Sequence, residues 1–275
     1  MDATSRFERP AFRGAFAGRR AIATALLALA AVAMPGVAAA QLTQIFQQSV
    51  RGSVVMTGNS LGRSGDSESY TLYDRPGMYG SAMTWINDRL PATQDNADWG
   101  DYTTGDWTLN HSYSELDIGA LGGGEVRAVF LMWAGSCYRT NQGGGSENVS
   151  GEIDTPVTFE YPTTGSPVQV EVDPDALGGV VDQCGNTGGF DGYVAWAEVT
   201  DLVPEWIDGM YALGGVPGTQ TLDTNGGTGY AGWVMSVVFS NPDAYPTSHQ
   251  ITLWSGWRRE STSFAAPTTV SGFCY

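Results

Sequence analysis

Three apolar runs most constrain what this chain can fold into. Residues 126–134, 192–199 and 230–239 are hydrophobic on both faces, and each is bounded by clusters of Gly, Asn, Asp or Pro. Strands covered on both sides have this pattern. Elsewhere the period is two. Val168, Val170 and Val172 alternate with Gln169, Glu171 and Asp173, and Trp107, Leu109, His111 and Tyr113 alternate with Thr108, Asn110, Ser112 and Ser114. Residues 249–254 add a further strand. Long amphipathic helical patterns are missing. The best helix is 200–208, with Thr200 or Asp201 as cap, Pro204 in the first turn and Gly209 as the stop. Glycine is abundant at 37 residues, and 143–146 and 226–229 read as flexible Gly-rich turns. The expectation is one all-β domain, an antiparallel β-sandwich of jelly-roll type with long Gly-rich loops and one short helix. No internal repeat or domain boundary interrupts it.

The amino terminus sets the compartment. Arg6, Arg9, Arg13, Arg19 and Arg20 precede an uncharged apolar run over 21–33, Pro35-Gly36 breaks it, and Ala38-Ala39-Ala40 follows. This is the pattern of a secretory signal peptide over 1–40, with the mature chain, 41–275, starting near Gln41. The run is short for a membrane span, and an uncleaved anchor is the alternative. Beyond residue 40 no stretch is long enough to cross a bilayer. A protein secreted, extracellular or held at the cell surface is expected.

Charge and composition exclude several functions. All 13 basic residues are Arg, against 29 acids, for a net charge of −16. Removing 1–40 takes five of those Arg and only Asp2 and Glu8, so the mature chain is more acidic still. Such a surface repels nucleic acid and anionic lipid. Without Lys there is no Schiff base, no P-loop, no Ser-Lys catalysis and no Lys–Asn crosslink. Covalent reinforcement falls to Cys137, Cys184 and Cys274. Cys137 follows an apolar strand and Cys184 lies in a Gly/Asn-rich loop, so a Cys137–Cys184 disulfide is the pairing we expect, with Cys274 left over.

Several segments together resemble a known family. They are Gly58-Asn59-Ser60-Leu61, residues 106–110, 128–136 and 198–203, Ala231-Gly232-Trp233-Val234 running to Asn241-Pro242, and residues 251–256. In that order they resemble the N-terminal all-β region of large bacterial secreted and cell-surface proteins that carry DUF11-type repeats further on. The resemblance covers roughly 53–273. It implies an extracellular structural or adhesive role without catalytic residues. Relatives continue past the position of Phe273 into further β structure and repeats, whereas this sequence stops at Tyr275.

Candidate chemistry is sparse. Gly58-Asn59-Ser60-Leu61-Gly62 matches G-x-S-x-G, but a hydrolase elbow needs a helix next, and 63–68 is loop-like, so Ser60 reads as a turn residue. His111 and His249 are the two histidines, too few for a three-histidine metal site. His111 falls on an apolar strand face and reads as packed and hydrogen-bonded. The same-face pairs Glu152/Asp154 and Glu171/Asp173 read as solvated charge, not as a glycosidase pair. Asp95, Asn96, Asp98 and Asp101 share one loop, and Asp182, Asn186 and Asp191 flank glycines in another. Carboxylates beside glycine-freed carbonyls suit calcium, so a structural calcium is the one cofactor suggested; plain acidic turns are the other reading. Of the aromatics, Trp85, Trp99, Tyr102 and Tyr138 fall in or beside loops and are the candidates for stacking on sugars, while Trp133, Trp196, Trp233 and Trp254 fit the core. The function expected is a non-enzymatic structural or adhesive sandwich that meets cell-surface proteins or glycans. A carbohydrate-binding module with calcium is the alternative.

Overall fold

The structure is a computed structural model. It describes residues 42–65, 72–76, 82–89, 103–117, 123–140, 146–177, 191–203, 208–220 and 229–256. All lie in the unit Ala40–Tyr275. The chain is all-β, with antiparallel sheets. In order the strands are β1 (Thr43–Val50), β2 (Gly52–Ser60), β3 (Gly62–Gly65), β4 (Leu72–Pro76), β5 (Ala82–Ile86), β6 (Thr103–Thr104), β7 (His111–Leu116) and β8 (Glu125–Thr140). Then come β9 (Ser146–Asn148), β10 (Val157–Tyr161), β11 (Val168–Val172), β12 (Ala176–Leu177), β13 (Asp191–Glu198), β14 (Gly209–Gly214), β15 (Ala231–Ser240) and β16 (His249–Ser255).

The three two-faced apolar runs become β8, β13 and β15. They stand side by side in a six-stranded sheet of order β12-β13-β8-β15-β2, with β9 paired to β8. A four-stranded sheet, β11-β10-β14-β7, faces it. Between the two lies the main core. Val129, Leu131 and Trp133 of β8, Tyr193 and Ala195 of β13 and Met235 and Val237 of β15 meet Phe159 of β10, Tyr211 and Leu213 of β14 and Leu116 of β7. Burying each of the large side chains contributes roughly 1.5–3 kcal/mol. Polar ties join the layers at their β2–β7 side. Trp233 Nε1 donates to Ser112 Oγ (3.0 Å), Asn59 Nδ2 donates to the Tyr113 carbonyl (2.9 Å), and Thr57 Oγ1 and Ser114 Oγ share a 2.7 Å bond.

A third layer covers one end of the opposite face of the central sheet. It is the ribbon β1–β16, which places Phe46, Val50 and Leu253 over Ala128, Phe130 and Val238. Phe46 meets Phe130 edge-on at 5.6 Å. A smaller sheet, β4-β3-β5-β6, completes the described strands. No helix among the described residues is long and apolar enough to cross a membrane.

Two segments differ from the sequence expectation. The strand expected from Trp107 begins only at His111, because Trp107–Leu109 is a 3₁₀ turn. Asp106 Oδ1 accepts from the Thr108 amide and hydroxyl there, and this cap outcompetes strand pairing. Asn110 then fixes the strand start by exchanging hydrogen bonds with both backbone groups of Val216. The expected helix over 200–208 is a turn in its described part, closed by Val203 N–H bonds to Val199 and Thr200. Residues 204–207 lie outside the described residues. Of the Gly-rich turns, 143–145 and 226–228 lie outside them too.

Candidate functional site

The uncovered end of the central sheet is shaped by residue size. Strand register aligns Val194, Ala134, Gly232 and Ser60 in one row across β13, β8, β15 and β2. The next row is Trp196, Met132, Val234 and Gly58. Directly paired residues point to the same face. These two rows therefore lie on the face away from the main core, at the margin of the β1–β16 ribbon, whose cluster Trp196 packs against. The first row has almost no side-chain volume at its centre. The result is an open groove of about 1120 Å³, lined by Met56, Met132, Val194, Val234, Tyr230 and Trp254 among others. That is slightly above the usual range of small-ligand pockets, about 300–1,000 Å³.

Backbone bonds fix the groove's rim. Ser136 Oγ accepts from the amides of Thr219 and Tyr230 (3.2 and 3.0 Å), which pins the chain at Tyr230 to β8. Ser60 closes one end. Its Oγ donates to the Gly62 carbonyl at 3.0 Å and accepts from the Gly62 amide at 3.3 Å. This is a turn device, and the serine flagged by G-x-S-x-G serves it. Ser255 stands at the ribbon side. It alternates with Leu253, so it shares the face of β16 that lies on the central sheet. Only 3% of Ser255 is exposed, and its Oγ has no hydrogen-bond partner among the described residues. The Trp254 indole nitrogen is likewise without one. No Asp, Glu, Arg or His lines the groove among the described residues.

A second polar cluster sits on the outer face of the four-stranded sheet. Register aligns Tyr113, Ala212, Glu160 and Gln169 across β7, β14, β10 and β11. Small Ala212 lets the outer residues meet over it. Glu160 accepts from Tyr113 Oη at 3.0 Å and from Gln169 Nε2 at 2.7 Å. His111 Nε2 lies 3.8 Å from Glu160 Oε2, and its ring stands edge-on to Tyr113 at 4.8 Å. His111 is buried, but on the polar outer face beside Tyr113 and Glu160 and not on the apolar face that its alternation with Trp107 and Leu109 suggested. The expected hydrogen bond is not there, because neither ring nitrogen has a partner among the described residues. Burial, reinforced by the Arg89 guanidinium, holds its imidazole down at about 3. Burial and the bond to Glu160 push the Tyr113 phenol up to about 12. A neutral imidazole and a protonated phenol around a bound carboxylate form a packing device with no general acid poised near neutral pH.

The sugar-stacking aromatics are not brought together. Trp85 is fully buried in β5, against the expectation that it is presented by a loop. Its indole packs so close to Gly218 that a Cβ there would stand 2.7 Å from Cη2. β5 is a short apolar strand beside polar segments, so in the sequence it reads as a loop edge. Tyr138 is half-buried on β8, paired with Asn148 and Asp191. Trp99 and Tyr102 lie outside the described residues. So do all four expected calcium ligands, Asp95, Asn96, Asp98 and Asp101, and Asp182 and Asn186 of the second acidic loop. Among the described residues no three His, Cys, Asp or Glu side chains gather as a metal site. Trp133 and Trp233 are core, as expected. Glu152 and Asp154 are exposed in the turn before β10 and do not share a strand face. Cys137 is fully buried and disulfide-bonded. Cys184 and Cys274 lie outside the described residues.

The groove was not visible in the sequence, because its rows combine residues near 58, 134, 194 and 232. No family model, no curated protein and no solved structure matches the chain.

Proposed function

We propose that this protein is a secreted, non-enzymatic β-sandwich that works by binding, in a structural or adhesive role at or near the cell surface. The observation that carries the reading is the uncharged groove, left open on a sheet face whose other end is sealed. Sheet faces with exposed apolar area of this kind mark interaction sites. Two further observations support a non-enzymatic role. Ser60 Oγ is committed to Gly62, and His111 is buried without a hydroxyl or thiol partner among the described residues. The jelly-roll form of the sandwich, kinship with the secreted repeat proteins, cleavage near Ala40 and a Cys137–Cys184 bond belong to the same reading. The packed two-sheet core and the bonded state of Cys137 support it.

The test uses purified, oxidised residues 41–275. We expect saturable retention on isolated bacterial envelopes or their polysaccharides, and loss of that retention in Val234→Asp, which places a charge in the groove. We also expect no turnover of nitrophenyl esters or glycosides. Turnover that disappears in Ser60→Ala would replace the binding reading with a hydrolase.

A further inference from the structure

Resting on that reading, we infer that the groove takes a neutral glycan, a chain of uncharged sugar units laid across rows one and two of the central sheet.

Charge is the first argument. The chain carries a net charge of −16, yet the described groove lining holds no Asp, Glu, Arg or His. An anionic ligand would meet the surrounding negative field with no Arg to receive it. A cationic ligand would find no carboxylate in the lining. A neutral ligand meets neither cost.

Shape and backbone supply the second. The groove lies on a sheet face. The amides and carbonyls of β8 and β15, at the centre of its floor, are used in ladders to neighbouring strands on both sides, whereas β2 is the edge strand and pairs with β15 alone. An extended peptide gains most of its affinity by adding to a sheet edge, and the groove's centre, on β8 and β15, lies away from the edge at β2. A sugar ring needs apolar surface for its CH face and scattered hydroxyl partners for its rim. Met132, Val194 and Val234 give the first, and the half-buried Tyr230 and Trp254 add aromatic surface.

The third argument is the hydroxyl of Ser255. A buried hydroxyl without a partner costs stability, and it is uncommon in a folded core. Among the described residues Ser255 Oγ is in that position at the groove wall. Rotation about its one side-chain dihedral reaches other staggered positions, from which a ligand hydroxyl can be met. The Trp254 N–H is a second buried donor without a partner among the described residues.

The experiment is calorimetric titration of oxidised 41–275 with laminarin, dextran and mannan as neutral probes, and with alginate and polygalacturonate as acidic ones. It is run for the parent, Ser255→Ala and Val234→Asp, alongside thermal melts. We expect binding to at least one neutral polysaccharide and none to the acidic pair. Ser255→Ala should weaken binding about 3- to 10-fold, the size of one hydrogen bond, while its Tm holds or rises. That split separates a ligand contact from a structural role, and it survives even if Val234→Asp fails to fold. Neutral-glycan affinity unchanged in Ser255→Ala, or binding of acidic glycans alone, overturns the inference. Retention of an apolar peptide, or self-association abolished by Val234→Asp, overturns the glycan while leaving a binding groove. Absence of every one of these interactions overturns the binding reading as well.

Discussion

The outer face of the central sheet has two ends built on the same strands, and they behave differently. At one end Phe130, Ala128, Val238 and Val54 meet Phe46, Val50 and Leu253 of the ribbon, and the contact is apolar, with an aromatic pair at its centre. At the other, about four to six residues further along each strand, Ala134, Gly232 and Gly58 leave the sheet bare. Strand propensity does not distinguish the ends, since both are continuous ladder. Side-chain volume does. Large residues give a second layer something to pack on, and small ones leave a concave surface that a ligand can enter. The most direct way to break the comparison is Phe130→Ala. A buried Phe lost from a packed contact costs about 3–5 kcal/mol, so Tm should fall on the order of 10 °C. Met132→Ala, two residues along the same strand and facing the groove, should cost about 1 kcal/mol or less. Equal losses in chemical denaturation would mean that the open end is packed as tightly as the closed one.

The His111 cluster sharpens the contrast from the opposite sheet, where polar groups are sealed without any ribbon. Folded His111 stays neutral down to about pH 3, because burial and then Arg89 oppose its charge, whereas an unfolded chain protonates it near 6.5. Between those values the unfolded state binds more protons. Stability is therefore intact above about 6.5 and declines as pH falls towards 3, by at most about 1.4 kcal/mol per unit. Denaturation midpoints measured from pH 7 to 4 should show that slope, and His111→Gln should flatten it. A parent slope equal to the variant's would show that the imidazole is solvated. Ser255→Ala and Gly232→Ala should leave the slope unchanged, since no Asp, Glu, Arg or His lines that site among the described residues.

How much of this was legible follows from range. The three two-faced apolar runs announced the centre of the six-stranded sheet, because burial on both faces is written into consecutive residues. The alternation at Val168–Val172 gave an edge strand for the same reason. Local hydrogen bonding misled at Trp107–Leu109, where Asp106 offers a cap that hydrophobic periodicity does not register. Trp85 misled in another way. Its burial depends on Gly218, more than a hundred residues away, whose missing side chain makes room for the indole. The groove is the extreme case. Each of its rows draws one residue from four separate strands, so only the pairing register reveals that the small residues line up. Gly58 and Ser60 drew notice as a hydrolase motif, and the structure gives them a place at the groove's end instead.

The finest comparison lies within the open end, between its two glycines. A Cβ on Gly58 would stand 2.2 Å from the Trp233 carbonyl oxygen, which is backbone and cannot turn aside. Gly58→Ala should then force β2 and β15 apart and cost about 1–3 kcal/mol, as overpacking does. Gly232 faces the same groove, but its nearest neighbour to an added Cβ is the Asn59 carbonyl at 3.3 Å, a contact that relaxes with a shift of a few tenths of an ångström. Against that small strain stands a gain, since glycine inside a strand is worse than alanine by roughly 0.5–1 kcal/mol. The two nearly cancel, so Gly232→Ala should move stability by no more than about 0.5 kcal/mol in either direction. It would still narrow the groove at its floor. A melt indistinguishable from the parent, together with weaker binding of whatever occupies the groove, would show that Gly232 is small for the ligand's sake, whereas Gly58 is small for the sheet's. If Gly232→Ala destabilises as much as Gly58→Ala, both glycines serve backbone packing and the groove is a by-product of strand geometry.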